Sequence, residues 1–148
     1  MLKSDQLLEM LPFGPEALCI DGITTIDEKA GRVEGWREVT DEDCAGHLPG
    51  LPRLAGSRML EMALQVAAVL YALHEEFGML IKVENFTVLS PVLPGQRLII
   101  KASQRGRERK EACGNIEGWV GDQKVFEGEV WAQIRPMSLL RRAQKSTR

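Results

Sequence analysis

Cysteine is scarce in this chain: Cys19, Cys44 and Cys113 are widely spaced among 148 residues, and no Cys-x-x-Cys pair occurs. An odd count without framework spacing excludes a disulfide scaffold and reads as reduced thiols in a cytosolic protein. Histidine is scarcer, with only His47 and His74, and no metal-ligand pattern forms. No apolar, uncharged run reaches the roughly 18 residues of a membrane-spanning helix. The opening MLKSDQLLEM carries charges inside any apolar run, so it does not read as a signal peptide. Charge of one sign is also lacking. Nineteen Lys and Arg against 21 Asp and Glu leave a net charge of −2, with no bias toward nucleic acid or anionic membrane. Internal repeats and low-complexity blocks are absent.

What remains is an ordinary soluble composition, 44% hydrophobic and 27% charged. The length fits one domain, and a domain of this size buries about 68–70% of its unfolded surface. We read residues 1–136 as that domain and 137–148 as a basic tail. The basic residues are uneven: Arg105, Arg107, Arg109 and Lys110 form one cluster, and Arg141, Arg142, Lys145 and Arg148 another. Such clusters read first as solvated loops and tails.

Ser4 to Leu11 starts with a good N-cap residue and is stopped by Pro12 and Gly14, giving a short helix. Ala17 to Thr25 and Arg32 to Val39 read as strands around the turn Asp27–Gly31. Gly and Pro make Thr40 to Pro52 a loop. Residues 57–77 hold strong helix formers, with Gly78 as the expected C-terminal stop. From Ala63 to Leu73 this helix is apolar nearly all round, so it is buried on most sides. Strands are expected over Ile81–Leu89, Arg97–Ser103, Glu111–Val120 and Lys124–Arg135, the last two as a hairpin around Gly121-Asp122. In the last strand Phe126, Val130, Ala132 and Ile134 fall on one face. Glu127, Glu129 and Gln133 fall on the other, so one sheet face is wet. Trp36, Trp119 and Trp131 fall on strands, where core or interface packing is the default.

The segment Gly46-His47-Leu48-Pro49-Gly50-Leu51-Pro52-Arg53-Leu54-Ala55-Gly56, followed by Ser57-Arg58-Met59-Leu60-Glu61, carries the chemistry. It places a histidine in a stiff Pro/Gly loop just before a helix with a carboxylate on its first turns. Histidine moves protons near neutral pH, and a helix N-terminus offers free N–H groups and positive dipole. These are the parts for removing a proton next to a carbonyl and expelling a β-hydroxyl. Each residue has a plainer reading too. His47 reads equally as a loop histidine, Glu61 as a dipole-favoured acid and Gly56 as a turn glycine with special backbone angles. His74, near Glu75 and Glu76, reads as a surface group.

The pattern Gly-His-Leu-Pro-Gly-x-Pro-x-x-x-Gly, with Glu61 fourteen residues after His47 and then Gln65, resembles the active-site signature of the 3-hydroxyacyl-acyl-carrier-protein dehydratases. The resemblance spans about residues 8 to 135 and includes Phe86 to Gln96 (FTVLSPVLPGQ), similar to the family's later strand and Pro-x-x-Pro-Gly turn. It implies an α+β hotdog fold: a curved antiparallel sheet wrapped around the long central helix. It implies dehydration of 3-hydroxyacyl groups on acyl carrier protein to trans-2-enoyl groups, with no metal or redox cofactor, in the cytoplasm. His47 becomes the base, and Gly56 points an N–H at the thioester carbonyl; Ser57 and Arg58 beside it are read as further oxyanion or substrate-binding positions. Glu61 becomes the group that binds the leaving hydroxyl from the partner subunit of a homodimer. A hexamer of three dimers is left open. The basic clusters become a candidate docking patch for the acidic carrier.

Several positions depart from that pattern. Leu48 stands where Phe is usual, Ala55 where Pro is usual, and Arg53 and Arg58 where apolar residues are expected. Arg58 lies three residues before Glu61, at ion-pair spacing on a helix. It reads as a partner of Glu61, as a determinant for a polar or acidic acyl group, or as a solvent-facing residue. Two other functions therefore stay open: a hotdog acyl thioesterase, in which a carboxylate activates water, and a non-catalytic acyl- or carrier-binding domain.

Overall fold

The computed structural model describes residues 1–140. Ten elements follow along the chain: β1 (Leu2–Lys3), α1 (Ser4–Met10), β2 (Gly22–Asp27), β3 (Arg32–Glu38), α2 (Asp41–Cys44), α3 (Gly56–Ala72), β4 (Glu76–Val88), β5 (Arg97–Glu108), β6 (Glu111–Val120) and β7 (Gln123–Pro136). One seven-stranded sheet has the order β1-β2-β3-β5-β6-β7-β4, and every neighbouring pair is antiparallel. The strands β5, β6 and β7 form a meander closed by tight turns, with Arg109 at φ 54° and Gly121 at φ 60°. β4 does not pair with β3 or β5. It lies beyond β7, so α3 carries the chain across the sheet from the β3 side to the far edge. This is the wrapped helix that the resemblance implies.

The helix is held by its apolar face. Met59, Met62, Ala63, Val66 and Val69 are buried, at the spacing of one helical stripe. They join one core with Ile23, Val33, Leu98, Ile100, Ile116 and Phe126 from the sheet. Each large apolar side chain buried this way contributes about 1.5–3 kcal/mol. The close approach depends on Gly35 of β3, where an added β-carbon would lie 2.9 Å from Val66 Cγ2 and 2.8 Å from the Gly22 carbonyl oxygen. A larger residue there forces the helix off the sheet.

Several boundaries differ from the sequence reading. The helix ends at Ala72, not at residue 77, and Gly78 is a strand residue rather than a cap. The cause is pairing with β7. Glu76, Phe77 and Gly78 register against Pro136, Arg135 and Ile134, and Glu75 turns the chain with φ 56°. β4 therefore begins five residues early. Residues 17–20 are not strand, because the helix side chain Gln65 takes their backbone groups: Cys19 N–H donates to Gln65 Oε1 (2.9 Å) and Gln65 Nε2 donates to the Ala17 carbonyl (2.8 Å). The loop after β3 contains α2, begun by a reciprocal cap. Asp43 N–H donates to Thr40 Oγ1 at 3.1 Å, and Thr40 N–H donates to Asp43 Oδ2 at 3.0 Å. β5 runs on to Glu108, so Arg105 and Arg107 lie on a strand. There they pair with Glu129 (3.4 Å) and Glu76 (2.7 Å) respectively.

The tryptophans are not in the core. Each is half-buried beneath cations: Arg97 lies over Trp36 at 4.2 Å, Lys101 over Trp119 at 5.4 Å, and Lys82 over Trp131 at 4.3 Å. The polar face expected for β7 is the face that carries Trp131, so these rings roof the wet side of the sheet. His74 is a surface group, 3.2 Å from Glu28. Arg141, Arg142, Lys145 and Arg148 lie outside the described residues.

Candidate active site

His47 sits in the exposed connection between α2 and α3. Two glycines bracket it, Gly46 at φ 79° and Gly50 at φ 80°. A β-carbon at either would meet nothing within 4 Å. Glycine is therefore required there for backbone conformation, not for space. The turn is closed by Leu51 N–H donating to the Leu48 carbonyl at 2.9 Å. The loop rejoins the core where Leu54 N–H donates to the Val92 carbonyl at 2.8 Å. Among the described residues the His47 side chain makes no hydrogen bond or ion pair.

Gly56 opens α3. The preceding Ala55 is extended and supplies no side-chain cap, and its carbonyl accepts from Arg58 N–H (3.0 Å) and Met59 N–H (3.1 Å). The N–H groups of Gly56 and Ser57 thus lack a helical acceptor and stand at the positive end of the dipole. The glycine does not adopt a left-handed backbone. Its constraint is crowding: an added β-carbon would lie 3.2 Å from Val88 Cγ2 of β4. Ser57 and Arg58 are both exposed on the same first turn.

Glu61 lies one turn further along and is also exposed, so the apolar helix does not bury it. It is not bridged to Arg58. Its bonded partner is Gln65, whose Nε2 donates to Glu61 Oε1 at 3.0 Å. Gln65 is fully buried. The sequence motif included it but assigned it no role. The signal was there: a lone amide at i+4 from a carboxylate in an apolar helix needs partners.

Two cavities meet at Glu61. One is an apolar slot of about 200 Å³ between α3 and the concave sheet, walled by Phe13, Leu64, Ala68, Tyr71, Ile116 and Val130. The other is a polar hollow of about 350 Å³ whose walls include Cys19, Arg37, Asp43 and Arg58. Glu61 lines both. Burial, then the negative charge of Glu61, push the Cys19 thiol up to about 11.

The structure therefore gathers Gly56, Ser57, Arg58 and Glu61 on the first turns of α3 and leaves His47 apart on the loop, lining neither cavity. An acyl group would find an apolar slot, a carboxylate at its mouth and free N–H groups at the head of the same helix.

The model of the FabA-like domain matches residues 11–129. The chain belongs to the FabA-like family. It is 30% identical over 134 residues to the 3-hydroxyacyl-[acyl-carrier-protein] dehydratase FabZ of Herpetosiphon aurantiacus, covering 86% of this chain and 94% of the relative. It is 31% identical over 140 residues to FabZ of Bacillus subtilis, covering 90% and 94%. Among solved structures, the dehydratase heterocomplex ApeI:P from Xenorhabdus doucetiae superposes with a TM-score of 0.74 at 17% identity, over 93% of this chain and 95% of that one. A hypothetical thioesterase from Streptococcus pneumoniae, solved with coenzyme A, gives 0.65 at 11% identity, over 77% and 84%. The hotdog fold is common to both, and the residues of the site decide between their chemistries.

Proposed function

We propose that this FabA-like protein dehydrates 3-hydroxyacyl groups carried on acyl carrier protein, giving the trans-2-enoyl thioester, as in fatty acid or related acyl-chain synthesis. The observation that carries the reading is the position of Glu61: a carboxylate at the junction of an apolar slot and a polar hollow, one turn from free N–H groups. The acyl tail takes the slot. The thioester carbonyl faces Gly56 and Ser57 at the head of α3, where developing negative charge is stabilised. His47, as neutral imidazole, takes the α-proton. The electron pair of that C–H bond forms the Cα–Cβ double bond, and the Cβ–O bond breaks. The hydroxyl, held by Glu61, takes the proton of the Glu61 carboxyl group in its acid form and leaves as water. The proton gained by His47 goes to solvent and Glu61 regains one from solvent, which resets the pair.

A homodimer completes the site, with His47 from one chain serving Glu61 of the other. The edge strand supports this. β4 runs for 13 residues and, among the described residues, is hydrogen-bonded as a strand only to β7. It presents Met79, Leu80, Ile81 and Val88 to solvent, and a long apolar edge of this kind seeks another strand.

The test is enoyl-thioester formation from short and medium 3-hydroxyacyl carrier substrates. The wild type turns over. His47→Ala and Glu61→Ala each lose about 10²–10⁴-fold in kcat. Release of free thiol from acyl thioesters, without enoyl product, would assign a thioesterase instead. Tight carrier binding with neither product would leave a binding domain.

A further inference from the structure

We propose that Arg37 is a positioning residue for His47: it clamps the α2 end of the catalytic loop to the sheet through a two-pronged ion pair with Asp43. Arg37 Nε donates to Asp43 Oδ2 at 3.0 Å and Nη2 donates to Asp43 Oδ1 at 2.7 Å, while Nη1 donates to Asp21 Oδ1 at 3.2 Å. Asp21 is itself fixed to β3, accepting from Glu38 N–H at 2.7 Å and donating its own N–H to the Trp36 carbonyl at 2.9 Å. The guanidinium therefore stands on a rigid base and grips the loop from it.

Asp43 is the one buried carboxylate among the described residues, with its side chain 6% exposed. A carboxylate is removed from water only where a cation and hydrogen bonds replace the water. Asp43 also caps α2 through Thr40. A four-residue helix has no stability of its own. Its place is set by the Arg37 pair, by Thr40 and by the burial of Cys44. His47 follows Asp43 by four residues. Ala45 N–H still donates to the Glu42 carbonyl at 3.2 Å. From Gly46 to Arg53 the only backbone tie among the described residues is the internal Leu51–Leu48 bond, and the next attachment to the body is Leu54 to Val92. The loop is thus strung between two fixed points, and Arg37 makes the nearer one to His47. Arg37 also lines the polar hollow beside Glu61, so one side chain spaces the loop from that carboxylate's cavity. A base displaced by about 1 Å can cost 10²-fold in rate, so a clamp four residues away has kinetic weight.

The kinetic part of this inference rests on the dehydratase reading; the clamp itself does not. The experiment compares wild type, Arg37→Gln and Arg37→Lys by hydrogen exchange and by turnover of a 3-hydroxyacyl carrier substrate. In Arg37→Gln, amides of residues 44–51 exchange faster, while those of α3 and β5–β7 keep wild-type protection. With the fold so verified, kcat falls by about tenfold or more and KM stays within about threefold, because the acyl slot is untouched. Arg37→Lys keeps the charge but not the fork, and gives an intermediate loss. Arg37→Lys also carries the same readouts if Arg37→Gln fails to fold. Unchanged loop exchange in a folded variant overturns the clamp. Faster loop exchange with kcat within about twofold of wild type overturns the positioning role. Should the wild type itself form no enoyl product, the dehydratase reading falls, and loop exchange still decides whether Arg37 holds the His47 segment.

Discussion

Gln65 holds Glu61 from one helical turn away, Nε2 to Oε1 at 3.0 Å, while the same amide closes both backbone groups of the Ala17–Cys19 segment. The Oε1 accepts from an N–H and Nε2 gives its two protons to two oxygens, so this orientation of the amide is fixed by its partners. Glu61 Oε2 is left without a hydrogen-bond partner among the described residues, and Glu61 lines both cavities.

Gln65→Leu removes that arrangement at nearly constant volume. The Cys19 N–H and Ala17 carbonyl lose their partner, at about 1–3 kcal/mol for each group left buried and unpaired. Glu61 stays in place and loses its orientation. We expect a lower midpoint in urea, together with a drop in kcat at substrate saturation of about tenfold. A folded variant with wild-type kcat would separate Gln65 from the chemistry and leave it a purely structural bracket.

The architecture and the motif residues were legible because their signals are local. The apolar stripe of α3, the alternation in β7 and the glycines around His47 each act within a few residues. Some of the missed features depend on partners far along the chain, others on which of several near neighbours a side chain meets. Gly78 looks like a helix stop until Ile134 is seen opposite it. Residues 17–20 look like a strand until Gln65, 46 residues away from Cys19, takes their hydrogen bonds. Arg58 stood at pairing distance from Glu61 by spacing alone, yet Gln65 is the partner that bonds. Arg37 and Asp43 lie only six residues apart, yet carried no motif; the turn of the chain between β3 and α2 brings them together.

The apolar edge of β4 makes a separate prediction. Met79 and Ile81 are each about half exposed in the single chain. The double variant Met79→Lys, Ile81→Glu keeps the β4–β7 ladder, which is made by backbone, and places charge on the free edge. Light scattering should give the monomer mass for this variant and at least the dimer mass for the wild type. Turnover should be lost with the dimer, since each site would lack one of its two essential side chains. An active monomer would refute the shared site.

Sharing of the site can be read more directly by mixing inactive variants. His47→Ala and Glu61→Ala, unfolded together and refolded at equal amounts, give half mixed dimers by random pairing. If His47 serves the partner's Glu61, each mixed dimer has one intact site and one doubly impaired site. Recovered activity then approaches about a quarter of wild type, because half the dimers each hold one of two sites. If both residues act within one chain, every site in every dimer lacks one of them and activity stays at the background of the single variants.

The Cys19 thiol reports on Glu61 without any substrate. With its pKa pushed up to about 11 by burial first and Glu61 second, Cys19 is almost wholly protonated at pH 8. Its alkylation by iodoacetamide should be roughly two orders of magnitude slower than that of an ordinary thiol, since the thiolate is the nucleophile. Glu61→Gln removes the second-largest cause and should speed the reaction at Cys19, followed by mass spectrometry of the peptide that carries it. An unchanged rate would place the Glu61 carboxylate farther from Cys19 than the shared polar hollow requires.

Acid stability tests the Arg37–Asp43 pair from another side. Burial pushes the Asp43 carboxyl up, but the hydrogen bonds from Arg37 and from Thr40 N–H, with the Arg37 charge, outweigh it and hold the group below the usual carboxylate range. Glu76 is likewise held low, by its hydrogen bonds from Arg107. A carboxyl whose folded pKa is depressed contributes its stability above the unfolded value, near 3.9 for Asp. It loses that contribution as pH falls through the lower, folded value. Stability should therefore be level on account of these groups above about pH 5 and decline below about pH 4, by up to ~1.4 kcal/mol per pH unit for each group. Asp43→Asn should lower stability at pH 7 and flatten the acid decline, so that wild type and variant converge as the pH drops. Parallel curves across that range would mean that Asp43 is not held as an anion by Arg37.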